Sequence, residues 1–228
     1  DWGAEKVIDD SRWRWGTPYD GNANYAWIEH ILSKLTPDGK AGIVLANGSL
    51  STSTSDEKAI RQALLEDHKV DAIVAMPSQM FYSVSIPVSL WIFDMNQASP
   101  NERDRQGETL FIDARELGSM TDRTHREFTR ADINKIANTY HAYTGTSKKA
   151  YQDVPGFCKA EKLENIKAND YVLTPGRYVG LAAEKQMSEE EFDAEMTKLS
   201  GELKKQFDKS DKLQNRILNV LRGIGYGK

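Results

Sequence analysis

The sequence predicts an α/β protein built on a largely parallel sheet that contains one antiparallel strand. Segments with the apolar spacing of amphipathic helices alternate with short apolar runs that are typical of buried strands. Only about ten residues without a helical pattern separate the second apolar run from the third. Because a crossover between parallel strands needs a longer connection, these two strands should be antiparallel neighbours.

The first elements follow an irregular N-terminal stretch. Residues 1–22 are rich in Trp, Gly, Asp and Arg and show no regular period, which predicts a loop. Helical spacing begins near Ala23 and ends at a Thr-Pro-Asp-Gly turn over residues 36–39. The inner positions of this helix are Tyr25, Ile28, Ile31, Leu32 and Leu35. The apolar run 41–46 is the first predicted strand.

A second helix and two more strands complete the predicted sheet. The helix begins at Ser55, and its inner side carries Ile60, Leu64 and Leu65. Asp56 and Glu57 lie near its N-terminus, where acidic residues favour the helix dipole, so a structural role is preferred for them over acid–base chemistry. The second and third strands are predicted at 70–76 and 88–93.

The middle of the chain is more polar. Residues 96–109 predict a mobile loop, and 110–112 predict a short edge strand. Thr129 should cap a helix that runs to about Tyr143. The positions of this helix that should face inward are Ile133, Ile136, Ala137 and Tyr140. Five arginines interleaved with acidic residues predict a solvated surface: Arg103, Arg105, Arg123, Arg126 and Arg130.

A long amphipathic helix is predicted from residue 188 to about 221. Its apolar positions are Phe192, Met196, Leu199, Leu203, Leu213, Ile217, Val220 and Ile224. Gln206 and Ser210 interrupt this stripe, so it is an imperfect coiled-coil seam. The stripe should pack either on the body of this chain or on a helix from a partner subunit.

Composition limits the function classes. A net charge of −4 and a pI near 5.7 argue against a protein that holds DNA by itself, because duplex binding normally uses a basic surface. A single cysteine, Cys158, excludes an intrachain disulfide. No apolar run approaches the roughly 20 residues of a membrane span, and no leader is evident, so we expect a cytoplasmic protein.

Four segments, in order along the chain, resemble those of one known family. Residues 21–32 (GNANYAWIEHIL) are similar to its GNADYAFIQHIL helix, and residues 57–65 resemble its "E..IRK.LLE" helix. Residues 70–88 are similar to a strand ending "LP..LFY.TGIP" and the start of the next strand. Residues 168–179 resemble a weaker "NDYNLTPxRYV" pattern. The family is the modification (methyltransferase) subunit of type I restriction–modification systems, which methylates adenine N6 in DNA.

The resemblance implies a division of the chain and a set of partners. It implies the C-terminal half of a Rossmann-like, S-adenosylmethionine-dependent methyltransferase sheet, whose last strand is antiparallel, followed by a mostly helical region. The implied segments are 1–115 for the catalytic domain, 116–187 for a mixed extension and 188–228 for a subunit-contact helix. The implied partners are DNA, a specificity subunit that selects the sequence, and a restriction subunit.

Two family motifs do not occur in this sequence. They are the glycine-rich turn that binds S-adenosylmethionine and the Asn-Pro-Pro-Phe tetrapeptide that holds the target amine. We therefore expect this chain to be part of a longer protein, to bind no cofactor and to be inactive alone. An unpaired sheet edge also predicts self-association of the isolated chain.

Phe81 and Tyr82 are the candidate site residues. In related adenine methyltransferases the loop between the last two strands supplies an aromatic residue to the pocket of the extrahelical base, and these two residues match that loop. The alternative is that Phe81 fills the core and Tyr82 covers it. Residues 47–50 form either part of the same edge or a simple turn, and Arg12 and Arg14 either contact DNA or order their own loop.

Two other functions remain open from the sequence. One is a stand-alone adenine-N6 methyltransferase, although the C-terminal tail is short and helical for a recognition domain of its own. The other is a non-catalytic module whose role is subunit assembly, which the two absent motifs favour for this chain.

Overall fold

A computed structural model describes residues 2–181, 189–224 and 226 of the chain. The chain divides into two compact units, residues 1–182 and 183–228. The division predicted from sequence, with boundaries after 115 and 187, stays a prediction. None of the helices in the described ranges is both long and apolar enough to cross a membrane.

The first unit is built on a five-stranded mixed sheet. Its strands are β1 (Lys40–Ala46), β2 (Val70–Ala75), β3 (Val88–Asp94), β4 (Glu108–Asp113) and β7 (Cys158–Lys162), in the order β1-β3-β2-β4-β7. β3 lies between β1 and β2 and is antiparallel to both, whereas β2 and β4 are parallel. The predicted antiparallel pairing of β2 with β3 is therefore confirmed. A separate hairpin pairs β5 (Ser119–Met120) with β6 (Arg126–Glu127).

The prediction of an edge strand at 110–112 was wrong. β4 lies inside the sheet, with β2 on one side and β7 antiparallel on the other. Its three central residues are fully buried, as interior strands require. The sequence CKAEK of β7 gives no apolar run, because a strand at the edge of a sheet carries charged side chains that discourage further pairing.

Helices cover both faces of the sheet. Those of the first unit are α1 (Asn24–Leu32), α2 (Ser55–Glu66), α3 (Arg130–Thr144) and α4 (Leu163–Ala168), whereas α5 (Glu189–Gly223) belongs to the second unit. Side chains of α1 and α2 share one core cluster with Ile73 and Phe111, whereas α3 packs in a second cluster with Val74 and Ile112. Neighbouring residues of one strand thus enter different clusters, as the two-residue period of a strand dictates.

The predicted cap of α3 is confirmed. Thr129 and Asp132 form a capping box, in which each side chain accepts the backbone N–H of the other residue. The helix ends at Gly145, whose φ of 78° suits glycine. Ile133 is 45% exposed, so its predicted inward orientation was wrong.

Arg105 does not lie on a solvated surface, as the sequence had predicted. It is fully buried and donates hydrogen bonds to Asp71 at 3.0 Å and to Asp94 at 2.7 Å. Tyr140 donates to the second oxygen of Asp71 at 2.6 Å. Asp71 is the second residue of β2 and Asp94 is the last residue of the antiparallel β3, so both carboxylates meet at one edge of the sheet. Arg105 therefore anchors the segment that the sequence predicted to be mobile.

One edge of the sheet is open in the described part of the chain. β1 pairs with β3 and with no other described strand, and Val44 on β1 is exposed. The predicted self-association through such an edge stays a prediction.

The second unit contains the predicted long helix. α5 is 35 residues long, which confirms the helical pattern, while residues 182–188, where the predicted segment begins, lie outside the described residues. The apolar stripe of α5 is about half exposed along its described length: Phe192, Met196, Leu199, Leu203, Leu213, Ile217, Val220 and Ile224.

Candidate functional site

The candidate site lies at the carboxyl edge of the sheet. β1, β2 and β4 run in the same direction, so the segments that follow them meet at one edge. This is the edge at which open α/β sheets bind ligands. Residues Asn47–Leu50 form a short 3-10 helix directly after β1, and Asn47 donates its backbone N–H to the carbonyl of Pro87 at 3.4 Å. The structure therefore brings residues 47–50 against the loop that carries Phe81 and Tyr82.

The loop of residues 76–87 presents aromatic side chains to the outside. Phe81 is 42% exposed and belongs to neither core cluster, and Tyr82 is 87% exposed. Phe81 forms an isolated antiparallel bridge with Val84, which narrows the tip of the loop. The alternative in which Phe81 fills the core is thus wrong, while a contact with a base stays a prediction.

His125 supports Tyr82 from below. The two rings stack with centroids 4.0 Å apart and planes 15° apart, and His125 is only 6% exposed. Its Nε2 lies 3.3 Å from the carboxylate of Glu127, and its Nδ1 is buried without a hydrogen-bond partner among the described residues. The sequence did not single out His125, because no local pattern indicates a contact with a loop so far away along the chain.

Backbone hydrogen bonds hold the hairpin that carries His125. Asp122 Oδ1 accepts the N–H groups of Thr124 at 2.7 Å and His125 at 2.8 Å, and these bonds lower the pKa of the Asp122 carboxyl. Arg126 donates its N–H to the carbonyl of Gln79 at 2.8 Å, which ties the hairpin to the loop. Gln79 has a φ of 65°, so the loop turns sharply at this bond.

A polar cleft of about 520 Å³ opens at the end of β1. Glu57 is buried there and accepts a hydrogen bond from Thr52 at 2.7 Å. The buried Arg61 donates to the carbonyls of Thr52 at 3.1 Å and Tyr171 at 2.8 Å. Glu57 and Arg61 therefore both form hydrogen bonds within the protein, which supports a structural role for each, as predicted for Glu57.

No described residue of this edge is assigned to S-adenosylmethionine. A binding turn for this cofactor needs glycines where the backbone must approach the ligand closely. Gly48 is the glycine that directly follows β1, and a Cβ added to it would meet nothing within 4 Å. A single glycine beside open space does not make such a turn, so we assign this edge no cofactor-binding residue.

Arg12 of the N-terminal loop contacts other residues of this chain. Its guanidinium contacts Asp10 at 2.7 Å and His30 at 2.7 Å and lies over the Trp13 ring at 5.0 Å. These contacts support the structural alternative for Arg12. The Arg14 side chain is 64% exposed and lies 3.9 Å from Asp67. Contact of Arg14 with DNA stays a prediction.

Glu29 of α1 is a buried acid that the sequence analysis did not identify. It is fully buried, and its Oε2 accepts the backbone N–H of Trp15 at 3.0 Å, whereas its Oε1 has no partner among the described residues. Burial raises the pKa of Glu29 from its ordinary value of 4.5 to about 7. The family pattern quoted above has a neutral glutamine at this position, which keeps the acceptor without the charge.

Glu29→Gln should therefore change how stability depends on pH. The folded protein binds the proton of the Glu29 carboxyl more tightly than the unfolded chain does. The contribution of this proton to the free energy of unfolding is therefore full below pH 4.5 and is lost as the pH rises through 7. The parent should lose on the order of 2–3 kcal/mol of its free energy of unfolding between pH 4.5 and pH 8 that the variant does not lose, so the variant gains this amount relative to the parent. Urea unfolding of both proteins at the two pH values measures this gain. Glu164→Gln, on an exposed position of α4, should show none, and an equal difference at both pH values would contradict the assignment.

Comparison with known proteins places the chain in a family. A model of the family described as "N-6 DNA Methylase" matches residues 1–187. The chain is 45% identical over 226 residues to the "Type I restriction enzyme HindI methylase subunit" of Haemophilus influenzae, covering 99% of this chain and 49% of that protein. It is 38% identical to the "Type I restriction enzyme MjaIX methylase subunit" of Methanocaldococcus jannaschii, covering 99% of this chain and 40% of that protein.

A solved structure agrees with this assignment. The type I restriction-modification system methyltransferase subunit from Streptococcus thermophilus is 30% identical and superposes with a TM-score of 0.67, over 78% of this chain and 35% of that one. The chain thus spans about half the length, or less, of the relatives that it matches. The helix, strand and loop patterns of residues 1–187 and the mixed sheet they form have one common explanation: the chain belongs to the N-6 DNA Methylase family.

Proposed function

We propose that this chain is part of a type I restriction–modification methyltransferase subunit, which transfers a methyl group from S-adenosylmethionine to adenine N6 in DNA. The observation that carries the proposal is the exposed pair Phe81 and Tyr82 at the carboxyl edge of the sheet. An enzyme that modifies a base must take it out of the helix and hold it between stacking groups. Aromatic rings exposed at a ligand-binding edge provide such groups.

In this proposal the chain holds the base and does not bind the methyl donor. Phe81 packs against the extrahelical adenine, and Tyr82 offers a second ring beside it. Both side chains also exclude water from the exposed face of the base. S-adenosylmethionine supplies the methyl group, and the residues that bind it lie outside the described part of this chain.

The net charge and α5 support a division of labour between subunits. A chain with a net charge of −4 needs a partner to contribute much of the contact with DNA phosphates. A specificity subunit would select the sequence and dock on the apolar stripe of α5, and a restriction subunit would join for cleavage. Such a complex acts on DNA in the cytoplasm.

A titration with labelled S-adenosylmethionine tests the proposed chemistry first. We expect no binding by this chain and clear binding by the protein extended to the length of its relatives. With the specificity subunit added, the extended protein should methylate adenine N6. If the extended protein is folded and binds no S-adenosylmethionine, the proposed function is wrong.

Phe81→Ala tests the site within that complex. The variant should methylate more slowly by roughly 5- to 150-fold, the range that one base–aromatic stack contributes. Ile133→Ala, which shortens an exposed apolar side chain on α3, is the matched control and should retain the parent rate. Normal methylation by Phe81→Ala would remove this residue from the site.

The apolar stripe of α5 favours one alternative, that the isolated chain acts as an assembly module. Such a module would bind the specificity subunit without any cofactor. Binding of this chain to the specificity subunit, combined with no methylation by the extended protein, would favour this alternative.

A further inference from the structure

We propose that Tyr82 and His125 form a two-ring platform on which an extrahelical base stacks, with His125 as the positioning residue. The proposal rests on the proposed function and adds a residue to its base-binding loop. His125 does not touch the base in this arrangement. It fixes the orientation of the tyrosine ring from below, so that the outer face of that ring receives the base.

The contact geometry supports this arrangement. One face of the Tyr82 ring covers His125 with nearly parallel planes, 4.0 Å between centroids, and Tyr82 is otherwise 87% exposed. A solvated tyrosine samples several rotamers, and ordering it costs side-chain entropy when a ligand binds. A ring that is already stacked on a buried imidazole has lost this freedom before the base arrives. The platform should therefore bind a base more tightly than an unsupported tyrosine would.

The support under His125 is itself rigid. The turn of the hairpin is closed by the Asp122 hydrogen bonds to Thr124 and His125, and Thr121 donates its N–H to the carbonyl of His125 at 2.9 Å. On the opposite side of the hairpin, a Cβ at Gly118 would lie 2.7 Å from the carbonyl of Glu127, so only glycine fits there. Two segments distant in sequence thus place the two rings, and the bond from Arg126 to Gln79 holds the segments together.

A purely structural contact has different consequences from a platform. If Tyr82 served only to cover His125, its removal would lower stability and leave the handling of the base unchanged. If the two rings act as a unit, their effects on base binding are coupled. A phenyl ring at position 125 would then replace the imidazole, because stacking needs only the flat ring. The decisive measurements are therefore the coupling between the Tyr82 and His125 substitutions and the recovery of function by a phenyl ring at position 125.

The experiment uses the extended protein assembled with its specificity subunit. The variants are Tyr82→Ala, His125→Ala, His125→Phe and the double variant Tyr82→Ala/His125→Ala, with Ile133→Ala as control. We measure the single-turnover methylation rate at saturating DNA and the affinity for DNA. Tyr82→Ala should be slower by roughly 5- to 150-fold with unchanged DNA affinity. His125→Ala should lose part of this factor, His125→Phe should recover it, and the double variant should be no slower than Tyr82→Ala.

A second readout does not depend on methylation. The fluorescence of 2-aminopurine at the target position is quenched when this base stacks on Tyr82, so it should rise in Tyr82→Ala and His125→Ala and stay low in His125→Phe. If this pattern appears in a complex that does not methylate, the platform stands and the proposed function fails. If the complex methylates and neither its rate nor its fluorescence changes in the His125 variants, the platform is wrong and the proposed function stands. The same conclusion follows if the rate losses of Tyr82→Ala and His125→Ala multiply in the double variant.

Discussion

Replacing Arg105 by alanine is expected to lower the free energy of unfolding by about 3–5 kcal/mol, the cost of removing one partner from a buried ion pair. Arg105 is fully buried and forks between Asp71 and Asp94, which are themselves fully buried or nearly so. Without the guanidinium, Asp71 loses its ion pair in a site from which water is excluded, and Asp94 keeps its ion pair with Lys40 at 3.0 Å but loses the one with Arg105. The mutual repulsion and desolvation of these carboxylates cause the loss.

Urea denaturation of the chain measures this loss, and two further variants show its cause. Asp71→Asn in the Arg105→Ala background should recover part of the stability, since it removes the carboxylate whose ion pair with Arg105 is lost, whereas Asp94 keeps Lys40 at 3.0 Å. Arg123→Ala, on an exposed arginine of the hairpin, is the control and should change stability by less than about 0.5 kcal/mol. If Arg105→Ala were as stable as the parent, the buried pairs would have no role in the fold.

Leu213→Glu combined with Ile217→Glu is expected to weaken the complex with the specificity subunit by more than about 100-fold. Both side chains lie on the apolar stripe of α5 and are about half exposed. Burying one such side chain contributes roughly 1.5–3 kcal/mol, and each tenfold change in affinity corresponds to about 1.4 kcal/mol. The two substitutions also place a charge where the partner helix would bury it. This expectation rests on the proposed docking of that subunit on α5.

The matched control is Asn215→Glu combined with Asn219→Glu. These positions lie on the opposite side of α5, because two residues along a helix rotate the side chain by about 200°. Both pairs add the same charge to the same turns, so a general electrostatic effect would lower the affinity of both. Calorimetric titration gives the affinities, and circular dichroism shows whether the helix persists. Full affinity in the Leu213 and Ile217 variant would mean that the specificity subunit docks elsewhere.

Local patterns in the sequence predicted most of the elements correctly. The spacing of Tyr25, Ile28 and Leu32 predicted α1, and the apolar run 70–76 predicted β2. Both predictions succeed because the buried side of a helix or strand determines the spacing of apolar residues within one short segment. The short connection between β2 and β3 predicted their antiparallel pairing for a similar reason. The position of Phe81 and Tyr82 after β2 was also predicted, since a loop follows its strand along the chain.

Contacts between distant residues decided the rest. β7 has too few apolar residues to show a strand pattern, and it exists because the backbone of β4 offers an open edge. The charge on Arg105 looked like that of any surface arginine until folding placed Asp71 and Asp94 around it.

The same holds for the candidate site. Its carboxyl edge forms because β1, β2 and β4 run in one direction, and Tyr82 becomes a supported ring only when the hairpin brings His125 beneath it. Sequence periodicity states which side chains are buried, whereas the partner of each buried group depends on chain segments that meet only in the folded protein. This is why the helices, the strands and the loop of Phe81 and Tyr82 could be read from residues alone, while the buried ion pairs and the Tyr82–His125 stack could not.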